Sequence, residues 1–354
     1  MPIRICIAGY YGVRNTGDDL LLQSIWELWP DAEIRVLCKD SLALMQELPM
    51  ASEAKDFAQV SGWQGAGGLR DPVSGGARRI LDSTDLLIVG GGGLLGNGNV
   101  FAAPEVFYAH EIGVPVMLMG VGVNPFSPSD VSRLRPYFEA VDAITTRDHW
   151  SWHNLRPFHE STRCFPSTCP VNGTRIRTTT LDVVPIVLSH SLRWARGDGA
   201  KIRRLSLQIN AITSSLQDLG LTYKFLAFSP RQKGVNDVEL FNEFKPELNS
   251  EAELIVPKDV GHVVDLIRTA PYVIGDRFHS LVLACRYRIP FVGMVMDSKQ
   301  REISMEAGMP WFYPHKDNEK RASHSVYLMV EKQKLPPVFP SPTYHKSVAE
   351  EILK

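Results

Sequence analysis

Ile3-Arg4-Ile5-Cys6-Ile7-Ala8-Gly9-Tyr10-Tyr11-Gly12-Val13-Arg14-Asn15-Thr16-Gly17-Asp18-Asp19-Leu20-Leu21-Leu22 sets the fold class. A run of strand length, Ile3–Ala8, gives way to a glycine-rich polar loop and then to an apolar-periodic helix from Asp18 to Leu28. Strand, loop and helix in that order are the unit from which parallel sheets with helical crossovers are built. The alternation recurs, with strands predicted at Glu33–Leu37, Leu86–Val89, Val114–Gly120 and Ala143–Thr146. A helix over Ser129–Ala140 is announced by Ser127-Pro128-Ser129-Asp130, a helix-start signal. Met50–Gly76, rich in Ala, Gly and Ser, reads as a helical or loop insertion.

From 166 to 180 periodicity is lost and Ser, Thr, Pro, Asn and Gly accumulate, the composition of an interdomain linker. A second alternation follows, with strands at Val183–Leu188, Tyr223–Phe228, Glu253–Val256, Tyr272–Ile274 and Phe291–Val295. Helices are predicted near Gly199–Leu219, Asn236–Phe244, Val260–Thr269, Ser280–Arg286 and Ser298–Glu306. The expectation is an α/β protein of two doubly wound Rossmann-like domains facing a cleft. Residues 1–165 form the first, 166–180 the linker, 181–335 the second and 336–354 a C-terminal tail with a final helix packing across both.

The 354 residues are 44% hydrophobic and 22% charged, with a mean hydropathy of -0.09 and a formal charge of -1. No block of like charge advertises nucleic acid or an anionic membrane, so a small or neutral partner is expected. No apolar run approaches the roughly 18–20 residues that span a bilayer, and the first residues lack a signal-peptide layout, which predicts a cytoplasmic protein. Five scattered cysteines suggest no disulfide framework.

Four constellations carry chemistry. The loop Gly9–Asp19 follows a strand and should lie at the carboxyl edge of the sheet, where Gly12, Asn15 and Gly17 bring backbone N–H groups to an anion or sugar. Asp18 there serves equally as a helix cap. Gly91-Gly92-Gly93-Leu94-Leu95-Gly96 satisfies G-x-G-x-x-G. The next strand, however, ends in Gly120-Val121-Gly122 where a dinucleotide site needs a ribose-binding acid. Gly92 and Gly93 are therefore read as a ligand-facing wall, and no nicotinamide cofactor is expected. Arg147 closes a predicted strand and presents a fork suited to carboxylate or phosphate, and equally to pairing with Asp148. In Val273-Ile274-Gly275-Asp276-Arg277-Phe278-His279-Ser280 an extended strand would point Arg277 and His279 to the same side, and Lys299 adds a second cation at the rim. His149-x-x-x-His153 has no acidic residue between its histidines, and Cys164 and Cys169 lack a second pair, so no metal site is expected.

In their order these motifs resemble the polysaccharide pyruvyl transferase family, whose members move the enolpyruvyl unit of phosphoenolpyruvate onto a sugar as a cyclic ketal. Gly9-Tyr10-Tyr11-Gly12 with Asn15 and Gly17-Asp18 resembles the opening loop, and Gly91-Gly92-Gly93-Leu94-Leu95 the glycine segment. Arg147-Asp148 with Ser151 is similar to the central motif, and Arg277-Phe278-His279 with Pro290 and Asp297-Ser298-Lys299 to the closing one. The resemblance implies an arrangement like that of B-type glycosyltransferases and a role in polysaccharide biosynthesis for the cell envelope. Its implied donor is phosphoenolpyruvate, held by Arg147, Arg277 and Lys299. The implied acceptor is a sugar or lipid-linked glycan, reached in solution or by peripheral association with a membrane. His279 is then the proton donor to the methylene carbon and Asp18 the group that orients or deprotonates the acceptor, with no metal or cofactor required. Two competing readings are a nucleotide-sugar glycosyltransferase, which needs a ribose-binding carboxylate after the His279 motif, and a non-catalytic glycan- or anion-binding protein. The joint presence of Arg147, Arg277 and His279 argues against the latter.

Overall fold

Two runs, Leu86–Gly90 and Val116–Val121, are apolar from end to end and are buried along their whole length in the computed structural model, as strands covered on both faces must be. The structure describes residues 2–65, 68–69, 71–171, 183–232, 236–248, 252–332, 335–337 and 342–354. Its contacts divide the chain into Met1–Val171 with Pro340–Lys354 (unit 1) and Asn172–Phe339 (unit 2). The expected linker lies outside the described residues from 172 onward.

Unit 1 contains the strands β1 (Arg4–Ala8), β2 (Glu33–Cys38), β3 (Phe57–Gln59), β4 (Trp63–Gln64), β5 (Leu86–Gly90), β6 (Val100–Phe101), β7 (Val116–Val121), β8 (Ala143–Thr146) and β9 (Arg163–Phe165). Between them run α1 (Thr16–Trp26), α2 (Ser41–Glu47), α3 (Gly75–Leu81), α4 (Ala103–Glu111), α5 (Pro128–Glu139) and α6 (His149–Asn154). Seven strands make a parallel sheet in the order β3-β2-β1-β5-β7-β8-β9, and β4 pairs antiparallel with β6. The chain moves outward from β1 to β2 and β3, then crosses back to place β5 on the other side of β1. The loops after β1 and β5 therefore run apart, and the gap they leave at the carboxyl edge is a topological switch point, the place where open α/β sheets bind ligands. The stretch 50–76 is more than an insertion of helix or loop: it supplies β3, an edge strand paired with β2, and β4. Edge strands are half-exposed and need no continuous apolar run, which hides Phe57-Ala58-Gln59 from a hydrophobicity reading.

Unit 2 repeats the design. Its strands are β10 (Val183–Val187), β11 (Thr222–Leu226), β12 (Leu254–Ile255), β13 (Val273–Gly275), β14 (Phe291–Met294) and β15 (Trp311–Phe312). Its helices are α7 (His190–Ala195), α8 (Gly199–Asp218), α9 (Asp237–Phe244), α10 (Val260–Arg268), α11 (Phe278–Arg286), α12 (Ser298–Glu306) and α13 (Glu319–Lys332). The sheet is parallel in the order β12-β11-β10-β13-β14-β15, so its switch point falls between β10 and β13. The expectation of an extended strand through His279 is overturned. β13 stops at Gly275, Arg277 takes the N-cap position of α11, and His279 is the second helical residue. The apolar spacing Phe278, Leu281, Val282, Cys285 is already helical from Phe278, and all four side chains are buried. Among the described residues no helix is long and apolar enough to cross a membrane.

The last helix, α14 (Thr343–Ile352), belongs to unit 1 and packs on β7 and β8. Its anchor is His345, 0% exposed. One imidazole nitrogen, Nε2, lies 2.9 Å from the Thr168 carbonyl, which can only accept, so Nε2 carries the proton. Nδ1 then accepts from the Thr145 hydroxyl at 2.8 Å, while that hydroxyl accepts from Gly120 N–H at 3.0 Å. Burial pulls the His345 pKa from 6.5 down to about 4, the Thr168 carbonyl offsetting part of the shift. The unfolded chain therefore binds this proton first as pH falls. Stability from His345 is complete above pH 6.5 and is lost progressively towards pH 4, on the order of 3 kcal/mol in all. Urea unfolding between pH 7 and pH 4.5 should show this loss in the native protein and a shallower dependence in His345→Gln, whose amide keeps both hydrogen bonds without titrating. Equal slopes would remove His345 as the cause.

Candidate functional site

Each switch point collects polar side chains, and the two collections differ in charge. In unit 1, Asn15 caps α1, its side-chain oxygen accepting from Gly17 N–H at 3.2 Å and its amide donating to Asp18 Oδ2 at 2.6 Å. Gly12 has φ +74, and a Cβ there would fall 2.0 Å from the Asp40 carbonyl, so only glycine fits. Its N–H points to Asp19 Oδ1 at 3.5 Å. The N–H groups of Gly12 and Gly17 are thus engaged inside the loop, and Asn15 and Asp18 carry its outward chemistry. Asp19 is buried, and burial together with the charge of Asp18 pushes its carboxyl well above the ordinary range, against the Gly12 N–H.

The glycine segment lies on the same crevice. Gly92, at φ +78, would place a Cβ 2.9 Å from Asp18 Oδ1, so the carboxylate rests on bare backbone. Gly93 is exposed with open space around it. The Gly92 carbonyl accepts from Gly122 N–H at 2.7 Å, and the Arg147 guanidinium lies over Gly122, where a Cβ would come within 2.3 Å of its carbon. Arg147 also pairs with Asp148 at 3.2 Å through Nε. Arg147 is thus paired with Asp148 and borders the glycine wall. Beside the loop, Tyr10 and Trp63 rings sit 4.4 Å apart, Trp63 lies 5.0 Å from Phe101, and Trp63 is 44% exposed.

In unit 2 the organising residue is Asp276, 0% exposed, immediately after β13. Its carboxylate accepts from Ser189 N–H at 2.9 and 3.0 Å, from Ser191 N–H at 2.7 Å and from the Ser191 hydroxyl. Burial raises its pKa, while the two serines and the Arg277 charge pull it back. Its backbone carbonyl accepts from the Gln300 amide, and Gln300 closes a capping box with Asp297 at the start of α12. One residue thereby ties His190, which lies between the two serines, to Arg277 and to Lys299.

Arg277 is 7% exposed and donates to Asp237 at 2.9 Å and to Gln232 at 3.3 Å. Arg193 donates to the same Gln232 oxygen at 3.0 Å. Two guanidinium groups therefore converge on one neutral amide oxygen. The buried hydroxyls of Ser189 and Ser229 and the Arg277 Nε have no hydrogen-bond partner among the described residues, leaving donors in a crevice rich in positive charge. Burial, then Arg277, Lys299 and Arg193, pulls His190 down to about 3. The charges that lower this imidazole's pKa are those three cations.

The sequence-predicted residues thus fall into two groups. Asn15, Asp18, Gly92 and Gly93, with Arg147 at the wall's end, gather in unit 1, and Arg277, His279 and Lys299 gather in unit 2. Sequence reasoning missed His190, Arg193, Gln232 and Asp237. Their positions after β10 and β11 were the available signal, because loops at the carboxyl edge of a parallel sheet are where ligands bind.

A family model for polysaccharide pyruvyl transferase matches residues 15–298. No curated protein matches the sequence. Among solved structures, UDP-GlcNAc 2-epimerase from Methanocaldococcus jannaschii aligns over 99% of this chain and 99% of its own, with a TM-score of 0.63 and 14% identity. The corresponding epimerase from Neisseria meningitidis, bound to UDP-GlcNAc, aligns over 99% of both chains with a TM-score of 0.62 and 11% identity. MurG from Acinetobacter baumannii gives 0.52 and 12%, again over 99% of both. At such identities the likeness establishes the fold alone, that of B-type glycosyltransferases and their epimerase relatives. Matched over most of its length by the family model, the chain belongs to the polysaccharide pyruvyl transferase family.

Proposed function

We propose that this protein transfers the enolpyruvyl unit of phosphoenolpyruvate to a sugar as a cyclic ketal, with the donor held in the unit 2 crevice. The observation that carries the reading is the convergence of Arg193 and Arg277 on the Gln232 oxygen. Asp237 balances part of this charge through its pair with Arg277, and a donor bearing both phosphate and carboxylate supplies further negative charge to the two guanidiniums. The Ser189 and Ser229 hydroxyls and Arg277 Nε, without a hydrogen-bond partner among the described residues, add neutral and charged donors.

In this reading His279, in the first turn of α11, delivers a proton to the donor's methylene carbon. The resulting cationic C2 is attacked by a sugar hydroxyl, phosphate departs, and a second hydroxyl closes the ketal. The acidic unit 1 crevice suits a neutral, hydroxyl-rich ligand: Asp18 accepts from sugar hydroxyls, and the exposed Trp63 face with Tyr10 receives the apolar face of a pyranose ring. No step in this scheme uses a metal or a redox cofactor.

Calorimetry with phosphoenolpyruvate tests the donor assignment. Arg277→Ala should weaken binding by about 2–5 kcal/mol, the usual effect of truncating a buried charged donor. Because that variant strands Asp237, Arg277→Lys serves as the folding control and should retain part of the affinity. Unchanged affinity in the Arg277 variants, or saturable binding of UDP-sugars without phosphoenolpyruvate binding, would overturn the donor assignment.

His279→Ala should leave phosphoenolpyruvate affinity within about tenfold and lower turnover by roughly 10²–10⁴. His279→Gln should not restore it, because an amide cannot deliver the proton. Phosphate release together with mass spectrometry of the sugar product reads the outcome, and near-normal turnover in either variant would exclude His279 as the acid.

A further inference from the structure

Departure of phosphate from C2 poses a problem that His279 does not solve. Cleavage of the bond between C2 and the bridging oxygen would release a trianion unless that oxygen receives a proton. The unit 2 crevice contains a second imidazole, His190, fixed between Ser189 and Ser191, whose N–H groups both end on the Asp276 carboxylate. Asp276 directly precedes Arg277, and its carbonyl holds Gln300 beside Lys299. His190 is thereby located at the C-terminal edge between β10 and β13, in the same crevice as the converging guanidiniums.

We propose that His190 is a proton-coupled ligand of the donor phosphate: it takes up a proton from solvent as the anion enters and returns that proton to the bridging oxygen when the C2–O bond breaks. The step balances. The imidazolium N–H bond breaks, the electron pair of the C2–O bond stays on oxygen, and the products are hydrogen phosphate and a neutral imidazole. The proposal rests on the donor reading for the identity of the anion, and on the crevice alone for the coupling.

Electrostatics sets the direction. The charges acting on His190 are Arg277 from the β13–α11 turn, Lys299 from α12 and Arg193 on its own helix; the same elements also carry Asp276, His279 and Asp297, and α9 carries Asp237. Asp237 is engaged by Arg277 and by Ser229 N–H, Asp276 by the two serines, and Asp297 by Lys299 at 3.2 Å. The cations prevail at His190, which stays neutral in their presence. An anion seated among them reverses the local potential, and the same imidazole then favours its charged form.

Histidine side-chain NMR tests the coupling without any turnover. Sulfate, a dianion across the pH range, is the first probe, against sodium chloride at equal ionic strength, with His190→Gln and His190→Asn assigning the resonance. The His190 midpoint should rise by about one pH unit or more with sulfate, and again with phosphoenolpyruvate. A midpoint indifferent to both anions overturns the inference. Movement with sulfate but not with phosphoenolpyruvate sustains the coupling and overturns the donor reading. Calorimetry near pH 6 in buffers of different ionisation enthalpy adds a second readout: proton uptake on phosphoenolpyruvate binding should survive in His279→Gln and vanish in His190→Gln. Uptake that persists without His190 assigns the proton elsewhere and refutes the proposal.

Discussion

Reversal of strand order is the constraint on which both crevices depend. In a parallel sheet all strands end at the same edge, and each needs a long crossover to reach the next. β1 and β10 each begin a sheet at its centre, send the chain one way through two strands, and are then flanked on their other side by β5 and β13. At those two places alone, neighbouring loops leave in opposite directions. The apolar burial of β1, β5, β10 and β13 thus does more than fill a core. It fixes where the loops at the carboxyl edge part.

Within unit 2 that opportunity becomes a site through Asp276. A buried carboxylate is costly, and several hydrogen bonds must offset its lost hydration. Here those bonds come from the loop after β10, so the desolvation cost is compensated only when His190 and Arg277 are side by side. Removing the carboxylate would free two buried serine N–H groups and separate the elements, a larger effect than loss of one polar contact. In unit 1 the acids of the crevice are held differently. Asp19 is buried with one oxygen unpartnered and its carboxyl raised, while Asp18 stands at the surface of the glycine wall. The same topology therefore sets Asp18 and Asp19 at the switch point of unit 1 and Arg193 and Arg277 beside that of unit 2.

Much of this was legible in the sequence. Central strands such as Leu86–Gly90 announce themselves because burial on both faces demands an unbroken apolar run, and α5 because Ser127 and Asp130 cap it reciprocally. Arg277 and His279 were found for their chemistry, yet the geometry that unites them is a helix N-terminus and not a strand face. The loop glycines show the opposite failure. Nothing in Gly12 or Gly17 tells that Asp19 and Asn15 consume their N–H groups, since that depends on how the loop closes. His190 has no motif spacing at all, and a lone histidine between serines acquires meaning only once strand order places it beside Arg277.

Two depressed histidines give the protein opposite responses to acid. His345 is neutral because burial and a fixed tautomer leave its proton-accepting nitrogen no room for charge, and nothing that binds to the crevices relieves that. His190 is neutral because burial is joined by three cations, and an anion relieves the second cause. Protonation of the first opposes folding of unit 1, whereas protonation of the second favours ligand in unit 2. By linkage, anion affinity must rise as pH falls through the His190 midpoint of the occupied site, and stop rising at that of the empty one. Fold stability declines over much of the same interval. The acid response of the fold and that of the unit 2 crevice are therefore set by different residues, His345 and His190.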